Sequence, residues 1–156
     1  MKGNEQVIEV LNEVLRKELT GINQYFMHVK LCKSWGYAKL SKHIWDESME
    51  EMRRADQVID RILFLDGSPS ISAYDKVMVG PTVKQQLAND LALEEAALVG
   101  LRSGIKACIE ANDEVCKNLL EKILADEEHH IDWIESQLHQ IGEVGYENYL
   151  SQQINP

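Results

Sequence analysis

Hydrophobic residues follow the period of an α-helix through most of this chain. The first segment carries its apolar positions on one helical face, namely Val7, Ile8, Leu11, Leu15, Leu19 and Ile22. Asn4 stands in front of this segment as a capping residue, and Trp35-Gly36 interrupts it. The pattern therefore predicts a first helix over about residues 5–34.

A second helical period extends over about residues 39–65. The positions expected to form its buried stripe include Leu40, Ile44, Met52, Ile59 and Leu63. Asp66-Gly67-Ser68-Pro69 ends this helix with turn-forming residues. The stretch 67–81 is the only long linker, and it is long enough to run from one end of a helical bundle to the other. It therefore allows the second and third helices to run parallel.

The second half of the chain repeats this organisation. Thr82-Val83-Lys84-Gln85 has the pattern of a capping box and begins a third helix that continues to about residue 111. Asn112-Asp113 forms a tight turn and caps a fourth helix, which ends near residue 142. Gly145 precedes a short last helix over about residues 146–153. The chain is thus predicted to be a single all-α domain over residues 1–156, with two helical hairpins joined by one long crossover and a short fifth helix.

The composition is that of a globular, acidic protein. The 156 residues are 44% hydrophobic and 27% charged, with a net charge of −10, which suits one globular domain with a core. The negative charge argues against nucleic acid or an anionic membrane as the main partner. The N-terminus lacks the apolar core of a signal peptide, and no apolar run approaches membrane-spanning length. Because three cysteines form no C-x-x-C motif, we expect a reduced, cytoplasmic protein whose cysteines are small buried hydrophobes.

Two pairs of glutamates have the same spacing. Glu51 comes 33 positions after Glu18, and Glu127 comes 33 positions after Glu94. The second pair ends in an E-x-x-H motif that places Glu127 and His130 on one helical face. A shift of 76 positions superimposes the two pairs and aligns Arg54 with His130. The chain therefore reads as two related hairpins whose acidic and imidazole side chains converge on one site.

This set of residue types is suited to a pair of iron ions in the core of a helical bundle. Carboxylates are hard donors that bridge two irons and tolerate both Fe(II) and Fe(III), and an imidazole adds a neutral donor. Solvated surface glutamates are the alternative, and a lone E-x-x-H is weak support for a ligand pair. The duplication favours a metal centre because the matched positions lie on four predicted helices in the same order.

At these motifs the chain resembles the bacterioferritins over its whole length. The segments that carry the resemblance are Ile22–Phe26, Arg61–Leu65, Asp90–Glu94, Asp126–Trp133 and Asn148–Leu150, together with the opening Met1-Lys2-Gly3. The resemblance implies a ferritin-like four-helix bundle that assembles into a shell of twenty-four subunits. It also implies oxidation of Fe(II) at a di-iron ferroxidase site within each subunit, storage of ferric mineral inside, and haem b between two-fold related subunits.

The resemblance assigns the iron ligands to Glu18, Glu51, Glu94, Glu127 and His130. Arg54 stands where the family has its second histidine, the one that serves the iron held by Glu18. Two interpretations are open. Arg54 either turns to solvent and merely deletes a ligand, or it points inward, where its permanent charge substitutes for one metal ion. One divalent ion and one guanidinium against four carboxylates leave a net charge of −1.

Four further residues match family positions. Met52 matches the axial haem ligand, although a core methionine is the usual alternative. Asp46 and Glu50, spaced i, i+4 on the second helix, match an inner-surface iron site, and an exposed acidic face is the alternative. Tyr25 matches a candidate electron donor beside the di-iron centre, and a buried hydrogen-bonded tyrosine is the plain alternative.

Three functions remain open at this point. The first is an iron-storage subunit with an altered ferroxidase centre. The second is a haem-binding or shell-forming subunit with little ferroxidase activity, which co-assembles with a normal bacterioferritin subunit. The third is a free-standing di-metal oxidase or peroxide scavenger, against which the short fifth helix and Met52 both count. A small ferredoxin as the reductant for iron release is an expectation from the family alone.

Overall fold

The computed structural model describes all 156 residues, and the fold is entirely helical, as predicted. Its elements are α1 (Glu5–Ser34), α2 (Ala38–Phe64), α3 (Val83–Glu110), α4 (Glu114–Val144) and α5 (Tyr146–Ser151). The predicted helix ends agree with these bounds to within two residues. None of the five helices combines the length and the apolarity that a membrane span requires.

Side-chain caps begin three of the helices at the predicted positions. The Asn4 side chain accepts hydrogen bonds from the backbone N–H groups of residues 6 and 7 at the start of α1. Thr82 accepts one from Gln85 N–H at 3.2 Å, and Asp113 accepts one from Cys116 N–H at 3.0 Å. Gly145 separates α4 from α5 with a φ of 88°, a left-handed conformation that glycine adopts without strain.

The crossover between α2 and α3 lies along α1 in the same direction. Backbone N–H groups of the crossover donate to successive α1 side chains, Ser70 to Asn12 at 2.8 Å, Asp75 to Thr20 at 3.0 Å, Met78 to Gln24 at 3.0 Å and Gly80 to His28 at 3.0 Å. The segment therefore starts beside the beginning of α1 and ends beside its end. As a result α3 starts at the same end of the bundle as α2, and the two helices run parallel.

Two apolar cores fill the bundle, one toward each end. The first contains Leu11, Leu15, Val58, Ile62, Leu120 and Ile123, and the second contains Tyr25, Ile44, Leu87, Ile134 and Tyr149. Between them, at the middle of each long helix, lies a buried polar layer formed by Glu18, Glu51, Arg54, Glu94, Glu127 and His130. Charged groups at this depth are stable only when they are paired or bound to a cation. The middle of the bundle therefore holds a buried polar site between the two apolar cores.

The predicted stripe on α2 is partly wrong. Met52 is 50% exposed and Leu63 is 56% exposed, so neither belongs to the core. The buried face of α2 instead passes through Ser48, Glu51 and other positions three or four residues apart. Because two polar residues take core positions there, the apolar pattern alone assigns Met52 to the wrong face. All three cysteines are buried and free, as expected.

A second buried polar network fixes the end of the crossover. Asp90 accepts a hydrogen bond from Gln24 Nε2 at 2.8 Å and pairs with His28 Nδ1 at 2.9 Å. Since Gly80 N–H donates to His28 Nε2, the imidazole proton lies on Nδ1 and points to Asp90. Burial raises the pKa of Asp90, and its hydrogen bonds from His28 and Gln24 oppose that rise. The network ties the crossover to α1 and α3.

We predict that His28→Ala lowers the free energy of unfolding by roughly 2–3 kcal/mol, because it leaves the Gly80 N–H and one side of Asp90 unpaired in the core. Urea denaturation at constant protein concentration measures the change. Asn89→Ala is the matched control, since its side chain also bonds the crossover, to Met78 O, but from an exposed position. An equal effect of the two substitutions would contradict a structural role for the buried network.

Candidate metal centre

Each of the four long helices contributes one glutamate to the buried polar layer. Glu18, Glu51, Glu94 and Glu127 are each at most 2% exposed. Two sets of three side chains have donor atoms within 4.8 Å of one another, namely Glu94, Glu127 and His130 on one side, and Glu18, Glu51 and Glu127 on the other. The structure therefore brings together all five residues that the repeated spacing selected, and Glu127 is common to both sets.

Arg54 points into the site and is only 4% exposed. Its Nε donates to Glu18 at 3.2 Å, and its Nη2 donates to Glu51 at 2.6 Å. The same Nη2 lies 3.0 Å from Glu127 Oε1. The guanidinium thus bridges three of the four carboxylates, and the interpretation in which Arg54 turns to solvent is wrong.

The buried carboxylates and the guanidinium of Arg54 shift one another's pKa values. Burial raises the pKa of Glu51, the neighbouring Glu18 raises it further, and Arg54 opposes both effects. Burial also raises the pKa of Glu18 above its ordinary value, against hydrogen bonding to Glu51 and the charge of Arg54. Burial alone would lower the pKa of Arg54, but the surrounding carboxylates, Glu51 first, raise it. Arg54 is therefore a fixed positive charge in the centre of the bundle.

The two sides of the layer differ in how well they fit a metal ion. On the Glu18 side, the nitrogens of Arg54 contact one oxygen each of Glu18, Glu51 and Glu127, so a cation there would lie beside a permanent positive charge and compete with it for these carboxylates. On the other side, Glu94 Oε2 and Glu127 Oε2 are buried and have no hydrogen-bond partner. Buried anionic oxygens without partners are costly, and a cation between them would remove that cost. Of these two sets, Glu94, Glu127 and His130 therefore form the one that fits a divalent ion better.

Tyr25 and His130 flank Glu94. Tyr25 is fully buried and its hydroxyl donates to Glu94 Oε1, while its ring meets that of His130 edge to face at 5.4 Å. Burial and the nearby Glu94 raise the pKa of Tyr25, so the phenol stays protonated. Burial lowers the pKa of His130, but the carboxylates of Glu94 and Glu47 outweigh it and the net shift is upward. Tyr25 is therefore both buried and hydrogen-bonded to a candidate ligand. This position suits an electron donor beside a metal centre and equally suits a structural hydrogen-bonded tyrosine.

Sequence reasoning missed two residues beside this site. His43 and Glu47 form a third set of donors with His130, all within 4.8 Å. Burial raises the pKa of Glu47, and burial together with the nearby His130 lowers that of His43 to about 4. The only signal in the sequence was their helical spacing before Glu51, because the third member of the set lies on another helix.

Gly21 is a further residue beside the site that the sequence did not indicate. A Cβ built on Gly21 would lie 2.8 Å from Glu51 Oε2, so this helical glycine leaves the room that the Glu51 carboxylate occupies. Glu51 in turn accepts the short hydrogen bond from Arg54. Gly21 therefore helps to accommodate the arginine-bound position of Glu51.

The candidate inner-surface residues lie apart from this centre. Asp46 is exposed and pairs with Lys42 at 2.9 Å, and Glu50 pairs with Arg53 on the same helix. Neither belongs to a set of three donors within reach of one ion. Within a single chain, their geometry is that of an exposed acidic face.

Met52 lies on the exposed side of α2, as Trp45 does. Its side chain is 50% exposed, Trp45 two turns earlier on α2 is 40% exposed, and Phe26 on α1 is 43% exposed. The rings of Phe26 and Trp45 lie 6.2 Å apart. We call Phe26, Trp45 and Met52 the apolar patch. A thioether on such a patch is available to a ligand or to a second subunit, as one in the core would not be.

Comparison with known proteins shows that the sequence of this chain is similar to members of one family. Residues 8–144 match the family model described as the ferritin-like domain. The chain is 45% identical over 152 residues to the bacterioferritin of Mycobacterium tuberculosis (strain CDC 1551 / Oshkosh), covering 97% of this chain and 96% of that protein. It is 46% identical over 151 residues to the bacterioferritin of Streptomyces coelicolor, with 97% and 90% covered. It is 42% identical over 149 residues to that of Rhodobacter capsulatus, with 96% and 92% covered.

We predict that Arg54→Met in metal-free buffer lowers the free energy of unfolding by roughly 3–5 kcal/mol, because it leaves buried carboxylates unpaired. Glu18 and Glu51, whose pKa values are already raised above 4.5, bind more protons folded than unfolded, so their contribution to stability falls as pH rises above that value. Removing Arg54 raises both pKa values further. The loss should therefore be larger at about pH 7.5 than at about pH 5.

Thermal and urea unfolding in the presence of a chelator measure this difference. Arg53→Met, on the next residue, is the control, because Arg53 is exposed and pairs only with Glu50. A loss of stability that is the same at both pH values would contradict the electrostatic role assigned to Arg54.

Proposed function

The chain belongs to the bacterioferritin family, and on that premise we propose that it is an iron-storage subunit whose ferroxidase centre takes one iron ion instead of two. The observation that carries the proposal is the position of Arg54, whose guanidinium bridges Glu18, Glu51 and Glu127. A second iron ion would need these same carboxylates.

Iron is the substrate in this proposal, and the residues divide between holding it and neutralising the rest of the site. Glu94, Glu127 and His130 bind Fe(II), since two of their carboxylate oxygens have no other partner. Arg54 neutralises part of the charge of Glu18 and Glu51. One divalent ion and one guanidinium against four carboxylates leave −1, close to balance.

The reduced number of ions has a consequence for activity. Each Fe(II) gives up one electron when it becomes Fe(III), so the reduction of oxygen to peroxide requires two ions. A centre with one ion must obtain the second electron from elsewhere, for which Tyr25, hydrogen-bonded to Glu94, is the nearest candidate. We therefore expect oxidation of Fe(II) by this chain alone to be slow.

The family and the apolar patch support the proposal of assembly and haem binding. A patch of Phe26, Trp45 and Met52 is unfavourable in water and suits a contact between copies of the chain. In a shell of twenty-four subunits, two copies of Met52 across a two-fold axis would supply the axial thioethers of haem b. Haem would add a route for electrons through the shell wall, and a ferredoxin is the expected reductant.

The second candidate function is a haem-bearing shell subunit that co-assembles with a subunit retaining both histidines. Arg54 favours it as well, because a chain with a weakened ferroxidase site can still supply the shell and the haem. Fe(II) oxidation by the purified homo-oligomer separates the two functions. Activity in the homo-oligomer supports the first, and activity only after assembly with a second bacterioferritin supports the other.

We predict that Arg54→His raises the number of divalent ions bound per subunit from about one to about two and speeds Fe(II) oxidation by about tenfold or more. The substitution removes a fixed charge and restores an imidazole on the Glu18 side. Co(II) titration gives the stoichiometry, and stopped-flow absorbance gives the rate. Arg53→His makes the same chemical change one residue away on the exposed surface and should alter neither. Two ions in the unmodified chain would refute the single-ion centre.

We predict that Met52→Leu abolishes haem b binding and leaves the size of the assembly unchanged, because leucine keeps the apolar contact and removes the sulfur ligand. The haem absorption spectrum and light scattering measure the two properties. Met49→Leu, on the preceding turn of α2, is the control and should retain haem. Haem binding that survives in Met52→Leu would remove Met52 as the ligand.

A further inference from the structure

The third set of donors, His43, Glu47 and His130, lies against the proposed single-ion site. Glu47 Oε2 is 3.6 Å from His130 Nδ1, and Glu94 Oε1 is 3.3 Å from the same nitrogen. Ligands bound at about 2.1 Å to one transition-metal ion are roughly 3.0–3.5 Å apart. The oxygens of Glu47 and Glu94 are therefore spaced from His130 much as neighbours in one coordination shell would be.

His43 lies at the outer end of this set with its nitrogen available. Its Nε2 is buried, has no hydrogen-bond partner, and lies 3.9 Å from Glu47 Oε1. The imidazole stacks on Trp133 with 3.7 Å between ring centroids and 14° between planes, which fixes its orientation. Trp133 follows His130 by one turn on α4. The same helix thus holds one imidazole and orients the other.

Several buried side-chain atoms without a hydrogen-bond partner lie in the two donor sets that share His130. Six buried side-chain atoms lack a hydrogen bond, and three of them are Glu94 Oε2, Glu127 Oε2 and His43 Nε2. Glu94 and Glu127 are at least nine-tenths buried. His43 belongs to the set with Glu47 and His130, whereas Glu94 and Glu127 form the other set with His130, so the two sets meet at this imidazole. Because native proteins rarely leave such atoms unpaired, both sets point to a cation beside His130.

Arg54 does not reach this side. Its nitrogens lie within 4 Å of Glu18, Glu51, Asp126 and Glu127, and neither Glu47 nor His43 is among its partners. Glu47 and His43 are also less buried than the inner carboxylates, with side chains 20% and 35% exposed. The donors that the guanidinium leaves free therefore extend from Glu94 outward to the protein surface.

We propose that Glu47 and His43 are additional ligands of the single cation, so that the site is shifted away from Arg54 and completed by a carboxylate and an imidazole that the repeated E-x-x-H pattern does not contain. The inference rests on the proposed single-ion function and deepens it. Two imidazoles among carboxylates favour Fe(II), Co(II) or Zn(II) over Mg(II) or Ca(II), which prefer oxygen ligands alone.

Co(II) binding to the metal-free assembled protein tests this inference. His43→Phe removes the nitrogen and keeps a ring to stack on Trp133, and Glu47→Gln keeps the shape of the side chain. We expect each to weaken Co(II) binding by about 10–100-fold while the stoichiometry stays at about one per subunit. Loss of an imidazole in His43→Phe should also change the visible absorption bands of bound Co(II).

The controls are His129→Phe and Glu128→Gln, which make the same changes at exposed positions of α4. Both should bind Co(II) as the unmodified protein does. Unchanged affinity and an unchanged Co(II) spectrum in both His43→Phe and Glu47→Gln would overturn the inference and leave the single-ion function intact. Absence of Co(II) binding by the unmodified protein would overturn the proposed function itself. Circular dichroism and light scattering establish that each variant is folded and assembled.

Discussion

The structure depends on the ion pairs between Arg54 and the carboxylates of Glu18, Glu51 and Glu127. Four glutamates buried between two apolar cores repel one another and have lost their hydration, so the fold requires positive charge at this level. Arg54 supplies one such charge from within the chain, in contact with three of the four. What remains is an asymmetric polar layer, in which Glu94 Oε2 and Glu127 Oε2 are buried without a hydrogen-bond partner.

Local sequence determined most of the fold, which is why the helices and their caps could be predicted. Asn4, Thr82 and Asp113 cap helices through bonds to residues two or three positions away, and such bonds are visible in the sequence. The equal spacing of the glutamates likewise predicted their convergence. Met52 was assigned to the wrong face of α2 because Glu51, a functional residue, occupies the core position that an apolar residue would otherwise mark.

The remaining features depend on contacts between helices that no spacing encodes. Arg54 could point inward or outward with equal justification from sequence, and the choice rests on carboxylates from α1 and α4 as well as from its own helix. Glu47 and His43 form no motif by themselves, since His130 and Trp133 come from α4. Such residues emerge only when the three-dimensional arrangement shows which buried atoms lack partners.

An arginine and a metal ion both neutralise carboxylates, the arginine with one positive charge and a divalent ion with two, and they also differ in thermodynamic linkage. A bound ion stabilises the folded state by an amount that grows with its free concentration, whereas the contribution of Arg54 is the same in iron-rich and iron-poor conditions. With two ions, both halves of the polar layer would be strongest only when iron is plentiful. Here Arg54 holds the half around Glu18 and Glu51 permanently. In the proposed single-ion centre, iron would be linked to folding only through the other half. On that proposal, the bundle would persist without iron, and this independence would come at the loss of one of two positions from which electrons reach oxygen.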